Sequence, residues 1–178
     1  MANTTFQGPV ISKNGFVNTG PGNVVDADAS ISLTVASHAG KIVHNDAAGA
    51  VTYTLPAINA NADSAVAGPG ADLNNQSNIG ATFEIFSSIT KTGNLVVQVA
   101  NANDVMVGSA SFIDDTSDNM VGFETVAASD TITLNGGTQG GVTFSKIVCT
   151  AISATQWKVD VISGCTDTPA TPFSAAVS

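Results

Sequence analysis

The chain contains no arginine and few charged residues of any kind. Charged residues make up 11% of its 178 positions, against a usual level of about 25%. Five lysines face fourteen acids, so the formal net charge is −9. Nucleic-acid binding requires a cationic surface that displaces counterions, and an anionic membrane surface attracts polybasic patches. We therefore expect neither nucleic acid nor membrane as a partner.

Long apolar segments and a secretion signal are also missing. No run of about 18 apolar residues is present, so the sequence predicts no transmembrane helix. The first fourteen residues have neither a charged start nor an apolar core of the kind that a signal peptide needs. We accordingly expect a protein that is made in the cytoplasm and is not secreted.

Small hydroxyl, amide and β-branched side chains dominate what is present. Thr, Ser and Asn together account for 52 residues, whereas Glu occurs only twice. β-Branched residues favour a pleated sheet over a helix. A surface of hydroxyls and amides can be buried in large protein contacts without desolvating charges, which favours an assembly protein over an enzyme.

Alternating apolar residues predict eight to ten short strands. The clearest alternation places Trp157, Val159 and Val161 on one face of a strand, and the single tryptophan is expected in the core. Residues 91–94 are expected to form a hairpin turn, and residues 109–120 a polar, acidic connection. The pattern predicts an all-β fold, either an antiparallel β-sandwich, a jelly-roll-like fold or a barrel.

The domain organisation predicted from these patterns has three parts. Residues 1–29 form an extended N-terminal arm, residues 30–163 a β-sandwich core domain, and residues 164–178 an irregular C-terminal tail. The arm is rich in turn residues but carries a candidate interface, which consists of Phe6, Val10, Ile11, Phe16 and Val17. These apolar side chains either pack on their own domain as an edge strand or attach to a neighbouring subunit.

The two cysteines are expected to remain free thiols. If residues 142–152 and 155–162 form a tight hairpin, Cys149 lies opposite residue 159. Cys165 is then about 20 Å further along the partner strand. A disulfide needs Cα atoms within about 7 Å of each other.

Candidate site residues for chemistry are sparse, and the sequence predicts no catalytic group, no cofactor and no metal site. His38 and His44 flank a short strand without further ligands, so we expect surface or turn histidines. Asp26, Asp28 and Ser30 have the spacing of the start of a calcium loop, but the glycine and the closing glutamate are missing. Asp114, Asp115 and Asp118 form a second acidic cluster, typical of a solvated turn. Residues 56–79 form a long polar loop, of a length that is often functional.

Several segments resemble small phage proteins. The opening MANTTFQGPVISKNGF is similar to the N-termini of head-decoration (cement) proteins of tailed bacteriophages, especially marine and cyanobacterial ones. The stretches VTYTLP, GATFEIF, TGNLVVQV, DVMVG and QWKVDVIS are similar to β-rich domains of phage structural proteins. The resemblance implies a non-enzymatic virion protein on the capsid exterior, a homotrimer bound to the major capsid protein, and no catalytic residues.

The sequence therefore predicts a capsid decoration protein that bridges neighbouring capsid subunits and stabilises the shell. The alternative is a tail-fibre or cell-surface adhesin that binds glycans through the 56–79 loop and the acidic 114–118 loop, with calcium as a candidate ligand. A hydrolase on a β-sandwich is a third hypothesis, for which no catalytic grouping is visible.

Overall fold

The computed structural model describes residues 23–60 and 77–177. Almost all regular structure in them is β-strand. The elements, in chain order, are β1 (Val24–Asp26), β2 (Ile31–Ser32), the one-turn helix α1 (Val35–His38), β3 (Ile42–Asn45), β4 (Val51–Thr54), β5 (Thr82–Ser87), β6 (Leu95–Gln98), β7 (Val105–Asp114), β8 (Asn119–Glu124), β9 (Thr131–Leu134), β10 (Ser145–Ala151), β11 (Gln156–Cys165) and β12 (Phe173–Ser174).

These strands form two sheets, and both sheets are mixed. The larger sheet has the strand order β1-β3-β5-β10-β11-β7-β8 and the smaller one the order β12-β9-β6-β4-β2. Parallel pairing joins β1 to β3, β3 to β5, β11 to β7, β2 to β4 and β4 to β6. The all-β prediction is confirmed, whereas the prediction of antiparallel sheets is wrong.

The mixed pairing follows from the path of the chain between the sheets. From β1 to β6, successive strands alternate between the larger and the smaller sheet. Strands that return to the same sheet after each crossing run in the same direction and pair in parallel. The segment 91–94 is therefore a crossing between sheets, and the predicted hairpin between β5 and β6 is wrong.

One hydrophobic core takes side chains from both sheets. The larger sheet contributes Phe83 and Trp157 and the smaller sheet Tyr53 and Ile132, each 0% exposed. The Trp157 ring meets Phe83 edge to face, with 5.8 Å between ring centroids. The alternation at 157–161 is confirmed, because Trp157, Val159 and Val161 are all buried.

The boundaries of the arm and of the tail differ from the sequence prediction. The segment 23–29, assigned to the arm, contains β1 and the buried residue Ala27. The tail is not irregular throughout, because β11 continues to Cys165 and β12 pairs with β9. The sequence did not predict β1 and β12 because strands of three and two residues are too short to show alternation.

The local structure departs from the sequence pattern at three points. The apolar alternation at 31–35 is typical of one strand, but β2 ends at Ser32 and Thr34 caps α1 by accepting a hydrogen bond from the Ser37 N–H. Residues 109–120 are mostly strand, since they include the end of β7 and the start of β8. Lys146 interrupts the apolar alternation that begins at Val142, yet β10 pairs regularly from Ser145 onward, and the backbone irregularity lies at Phe144, whose φ is +73°.

No helix in the described residues is long and apolar enough to cross a bilayer.

Candidate functional site

The predicted interface residues Phe6, Val10, Ile11, Phe16 and Val17 lie outside the described residues. Most of the 56–79 loop, from 61 to 76, lies outside them as well. The described residues present the surfaces of the two sheets and of their connections.

Four exposed apolar side chains form a patch on the outer face of the larger sheet. We call this the outer-face patch, and its members are Ile113, Met120, Phe144 and Ile162. They are between 44% and 72% exposed. Ile113 pairs with Met120 across β7 and β8 and with Gly164 across β7 and β11, which places all of them on one face. Ile162 lies two residues before Gly164 on the same strand and therefore on the same face.

Backbone geometry holds the ring of Phe144 outward. Its φ of +73° lies in the left-handed region, which is strained for a bulky residue. A Cβ atom added to Gly164 would lie 3.1 Å from Phe144 Cζ and 2.9 Å from Val142 Cγ2. The missing side chain of Gly164 thus makes room for the ring to lie against the sheet.

The patch borders an open groove of about 360 Å³. Its lining consists of Ile113, Val142, Phe144 and Gly164 together with Thr90, Asp115, Cys165 and Thr166. Elsewhere on this face, Lys146 pairs with Ile162, and Lys158 and Asp160 form an exposed ion pair. An apolar surface with few charges beside it is suited to bind protein.

Sequence reasoning missed the outer-face patch, although one signal for it was present. Ile162 is apolar at an outward position, directly after the inward series of Trp157, Val159 and Val161. An apolar residue out of phase with a clear alternation indicates an exposed contact. No comparable signal marks Phe144, because its direction depends on an unusual backbone angle.

A buried polar network lies where β3 approaches the segment that follows β5. The Lys91 ammonium donates to Asn45 Oδ1 at 2.9 Å and to the Ala47 carbonyl. Lys91 is 3% exposed and Asn45 is 0% exposed. Burial lowers the pKa of Lys91, although the charge of Asp28 acts in the opposite direction.

Tyr53 completes this network from the smaller sheet. Its hydroxyl donates to the Ala27 carbonyl, which also accepts from Asn45 Nδ2 at 3.1 Å. Burial raises the pKa of Tyr53 to about 12, despite a hydrogen bond with the Asn45 side chain that lowers it. Sequence reasoning missed the network because Lys91 stood in an apparent turn and its partners are far away in the chain.

The first acidic cluster contains Asp26, Asp28 and Asp46. One oxygen of each carboxylate lies within 4.8 Å of the others, and all three residues are exposed. A hydrogen bond from the Asp46 N–H lowers the pKa of Asp28, whereas the side chain of Asp28 raises the pKa of Asp46. The hydroxyl of Ser30 accepts a hydrogen bond from the Thr52 N–H at 2.9 Å. Solvated carboxylates commonly cluster in this way, and we assign no metal to them.

The second acidic cluster is the turn between β7 and β8. Asp114 accepts hydrogen bonds from the Thr116 N–H at 2.9 Å and from the Ser117 hydroxyl. The Ser117 hydroxyl is the main cause that lowers the pKa of Asp114. Asp118 has a φ of +54°, as a tight turn requires. These contacts give the cluster a structural role in the turn.

Neither histidine belongs to the metal-compatible grouping found among the described residues. His38 Nδ1 lies 3.0 Å from the Thr34 N–H, within the turn of α1. His44 contacts Asp26 through Nδ1 at 3.0 Å and Ser88 through Nε2 at 2.8 Å. Both have local structural partners, as expected for turn and surface histidines.

The cysteine prediction is confirmed. Both thiols are free and buried, and Cys149 pairs with Val159 across β10 and β11. Burial raises the pKa of Cys149 to about 12 and also raises the pKa of Cys165. Neither is a nucleophile at neutral pH, because the thiolate is the reactive form.

No protein-family model, curated protein or solved structure matches this chain.

Proposed function

We propose that this protein is a non-enzymatic virion structural protein that decorates the capsid exterior and bridges neighbouring subunits of the major capsid protein. The outer-face patch is the observation that carries the proposal. Resemblance of the N-terminal residues to phage cement proteins supplies the class of partner. In this proposal the two sheets pack face to face as a sandwich, and the larger sheet presents its outer face to the shell.

The geometry of the patch suits docking onto a rigid protein surface. Strands fix the positions of Ile113, Met120 and Ile162 before binding, so little conformational entropy is lost on association. Phe144 supplies an aromatic anchor, and aromatic residues contribute strongly to binding energy at the centre of interfaces. Backbone strain at an exposed aromatic ring indicates selection for contact rather than for stability.

Charge and assembly fit the same role. A net charge of −9 opposes non-specific aggregation in solution. In this proposal, the apolar residues between Phe6 and Val17 attach to a neighbouring subunit. A homotrimer at a symmetry axis then multiplies weak contacts through avidity.

The patch is tested by binding to decoration-free shells of the cognate major capsid protein. Phe144→Gly removes the ring at a position where glycine adopts the observed φ without strain, so the variant is expected to fold. We expect shell affinity to fall at least about tenfold, as for loss of an aromatic anchor. Val126→Ser is the matched control, since Val126 is 70% exposed and lies outside the patch.

The arm is tested in the same assay with a chain that lacks residues 1–17. We expect capsid occupancy to be lost while the core remains folded. Equal occupancy by the truncated and full-length chains would contradict an arm-mediated bridge, and equal affinity of the Phe144 variant would contradict the role of the patch. Glycan binding that EDTA abolishes, without shell binding, would support the adhesin alternative instead.

A further inference from the structure

Lys91 and Asn45 form a buried pair that the proposed function does not use. Their hydrogen bond of 2.9 Å joins the end of β3 in the larger sheet to the segment that leads into β6 of the smaller sheet. Lysine is rarely buried unless an acid neutralises it. Within residues 23–60 and 77–177, no carboxylate oxygen lies within 4.0 Å of Lys91 Nζ.

The chemistry of a buried lysine without an acid differs from that of an ion pair. Taking an ammonium out of water is costly, and the group responds by releasing its proton. The neutral amine has a free electron pair and is a nucleophile. Here the nearest partners are an uncharged carboxamide, that of Asn45, and a backbone carbonyl, that of Ala47.

The Asn45 carboxamide is held in one orientation toward this amine. Its Nδ2 donates to the Ala27 carbonyl at 3.1 Å, and Tyr53 donates to that carbonyl from the other sheet. The Oδ1 atom therefore faces Lys91. Because a carbonyl bond is about 1.2 Å long, the 2.9 Å hydrogen bond places Nζ within about 4 Å of Cγ. Attack requires a distance of about 3–3.5 Å, so Nζ would have to move toward Cγ by up to about 1 Å.

We propose that Lys91 and Asn45 join covalently in an intramolecular isopeptide bond. The neutral Lys91 amine attacks Asn45 Cγ, and a new C–N bond forms. The Cγ–Nδ2 bond then breaks, and this nitrogen leaves as ammonia with the proton that Nζ gives up. The products are one secondary amide and one ammonia molecule, so no oxidant, reductant or co-reactant is needed.

The bond would join the end of β3 in the larger sheet to the segment that leads into β6 of the smaller sheet, across 46 positions of sequence. It would remove both the buried charge and the primary carboxamide, and it would restrict the unfolded chain as a disulfide does. Both cysteines are free, so no disulfide crosslinks the described residues. The isopeptide would be a covalent crosslink that persists under reducing conditions, because it is an amide. The inference is independent of capsid binding.

Mass spectrometry of the full-length folded wild-type protein tests the proposal. Trypsin cleaves after lysine, and Lys41, Lys91 and Lys146 separate the fragments 42–91 and 92–146. An isopeptide at Lys91 blocks cleavage there. After denaturation and digestion we expect a single fragment, 42–146, that is lighter than its sequence mass by about 17 Da, the mass of ammonia.

Two variants and a control locate the bond. Lys91→Arg and Asn45→Ala should each give separate fragments of full sequence mass. Lys146→Arg preserves the tryptic site and lies on the outer sheet face, so it should retain the crosslink. If Lys91→Arg and Asn45→Ala fail to fold, the tryptic fragments of the wild-type protein still show whether the crosslink is present.

Separate wild-type fragments 42–91 and 92–146, after prolonged incubation of the folded protein, would overturn the proposal. A loss of about 17 Da confined to fragment 42–91 would overturn it too, since it indicates ring closure at an asparagine rather than a bond to lysine.

Discussion

Gly136 lies directly against the backbone of Lys91. A Cβ atom at position 136 would stand 1.8 Å from the Lys91 carbonyl oxygen, and the φ of Gly136 is +79°. The Lys91 N–H also donates to the Gly141 carbonyl at 2.8 Å. The glycine-rich turn at 135–141 is therefore the support for the segment that carries Lys91.

Gly136→Ala should lower the free energy of unfolding by about 2–4 kcal/mol, because the new methyl group adds backbone strain to an unavoidable clash. Urea unfolding followed by Trp157 fluorescence measures the change. Gly49→Ala is the matched control, since no atom lies within 4 Å of its added Cβ, and it should shift stability by less than about 0.5 kcal/mol. Equal effects of the two substitutions would refute the supporting role of Gly136.

Tyr53 is the only tyrosine of the chain, so phenolate absorbance reports on it alone. Burial raises its pKa to about 12, while the unfolded chain ionises near the usual value of about 10. The folded state thus favours the neutral phenol. Its stabilising contribution is complete below pH 10 and is lost as pH rises toward 12, by roughly 2–3 kcal/mol in total.

An absorbance titration should give a midpoint near pH 12 for folded protein and near pH 10 in concentrated urea. Cys149 acts in the same direction, since its pKa is also raised to about 12. A native midpoint at the urea value would show that water reaches the phenol.

Strand β12 depends on the carboxylate of Asp130. This buried side chain accepts hydrogen bonds from the Ala176 N–H at 2.8 Å, the Val177 N–H at 3.2 Å and the Thr131 hydroxyl at 2.8 Å. It fixes the chain just beyond Phe173, which covers one edge of the core.

Asp130→Ala should destabilise the fold by about 1–3 kcal/mol, because the buried Thr131 hydroxyl and two part-buried backbone N–H groups lose their acceptor. Differential scanning calorimetry measures the loss. Asp160→Ala removes only the exposed ion pair with Lys158 and should cost less than about 1 kcal/mol. A mild effect at Asp130, similar to that at Asp160, would mean that the C-terminal segment is not held by this carboxylate.

The strands that the sequence predicted well are those with long alternation. The phase of β11 followed from its inward and outward positions, and the pairing of Cys149 with Val159 followed from the short hairpin assumed between β10 and β11. Alternation specifies which face of a strand is buried, but not which strand lies beside it. For this reason the crossing from β5 to β6 appeared to be a hairpin, and both sheets were expected to be antiparallel.

The candidate sites were harder to predict because they depend on distant contacts. Asn45 and Lys91 are 46 positions apart and meet only because β3 and β5 share a sheet. Phe144 faces outward because of one backbone angle and the absence of a side chain at Gly164. Neither condition leaves a periodic signal in the sequence.

The assembled molecule is predicted to be a homotrimer that needs its N-terminal residues for contact with neighbours. Light scattering of the full-length chain should give three times the 17.8 kDa subunit mass. Removal of residues 1–17 should leave Trp157 emission unchanged, because its ring is buried among described residues of the core. A full-length chain that remains monomeric at all concentrations would contradict the trimer.

The single tyrosine and the single tryptophan lie on different sheets, yet both are buried in the same core. Excitation absorbed by Tyr53 can therefore pass to Trp157 only while the two sheets remain together. The efficiency of this energy transfer is a label-free optical measure of sheet separation, and it distinguishes opening of the core from loss of peripheral strands.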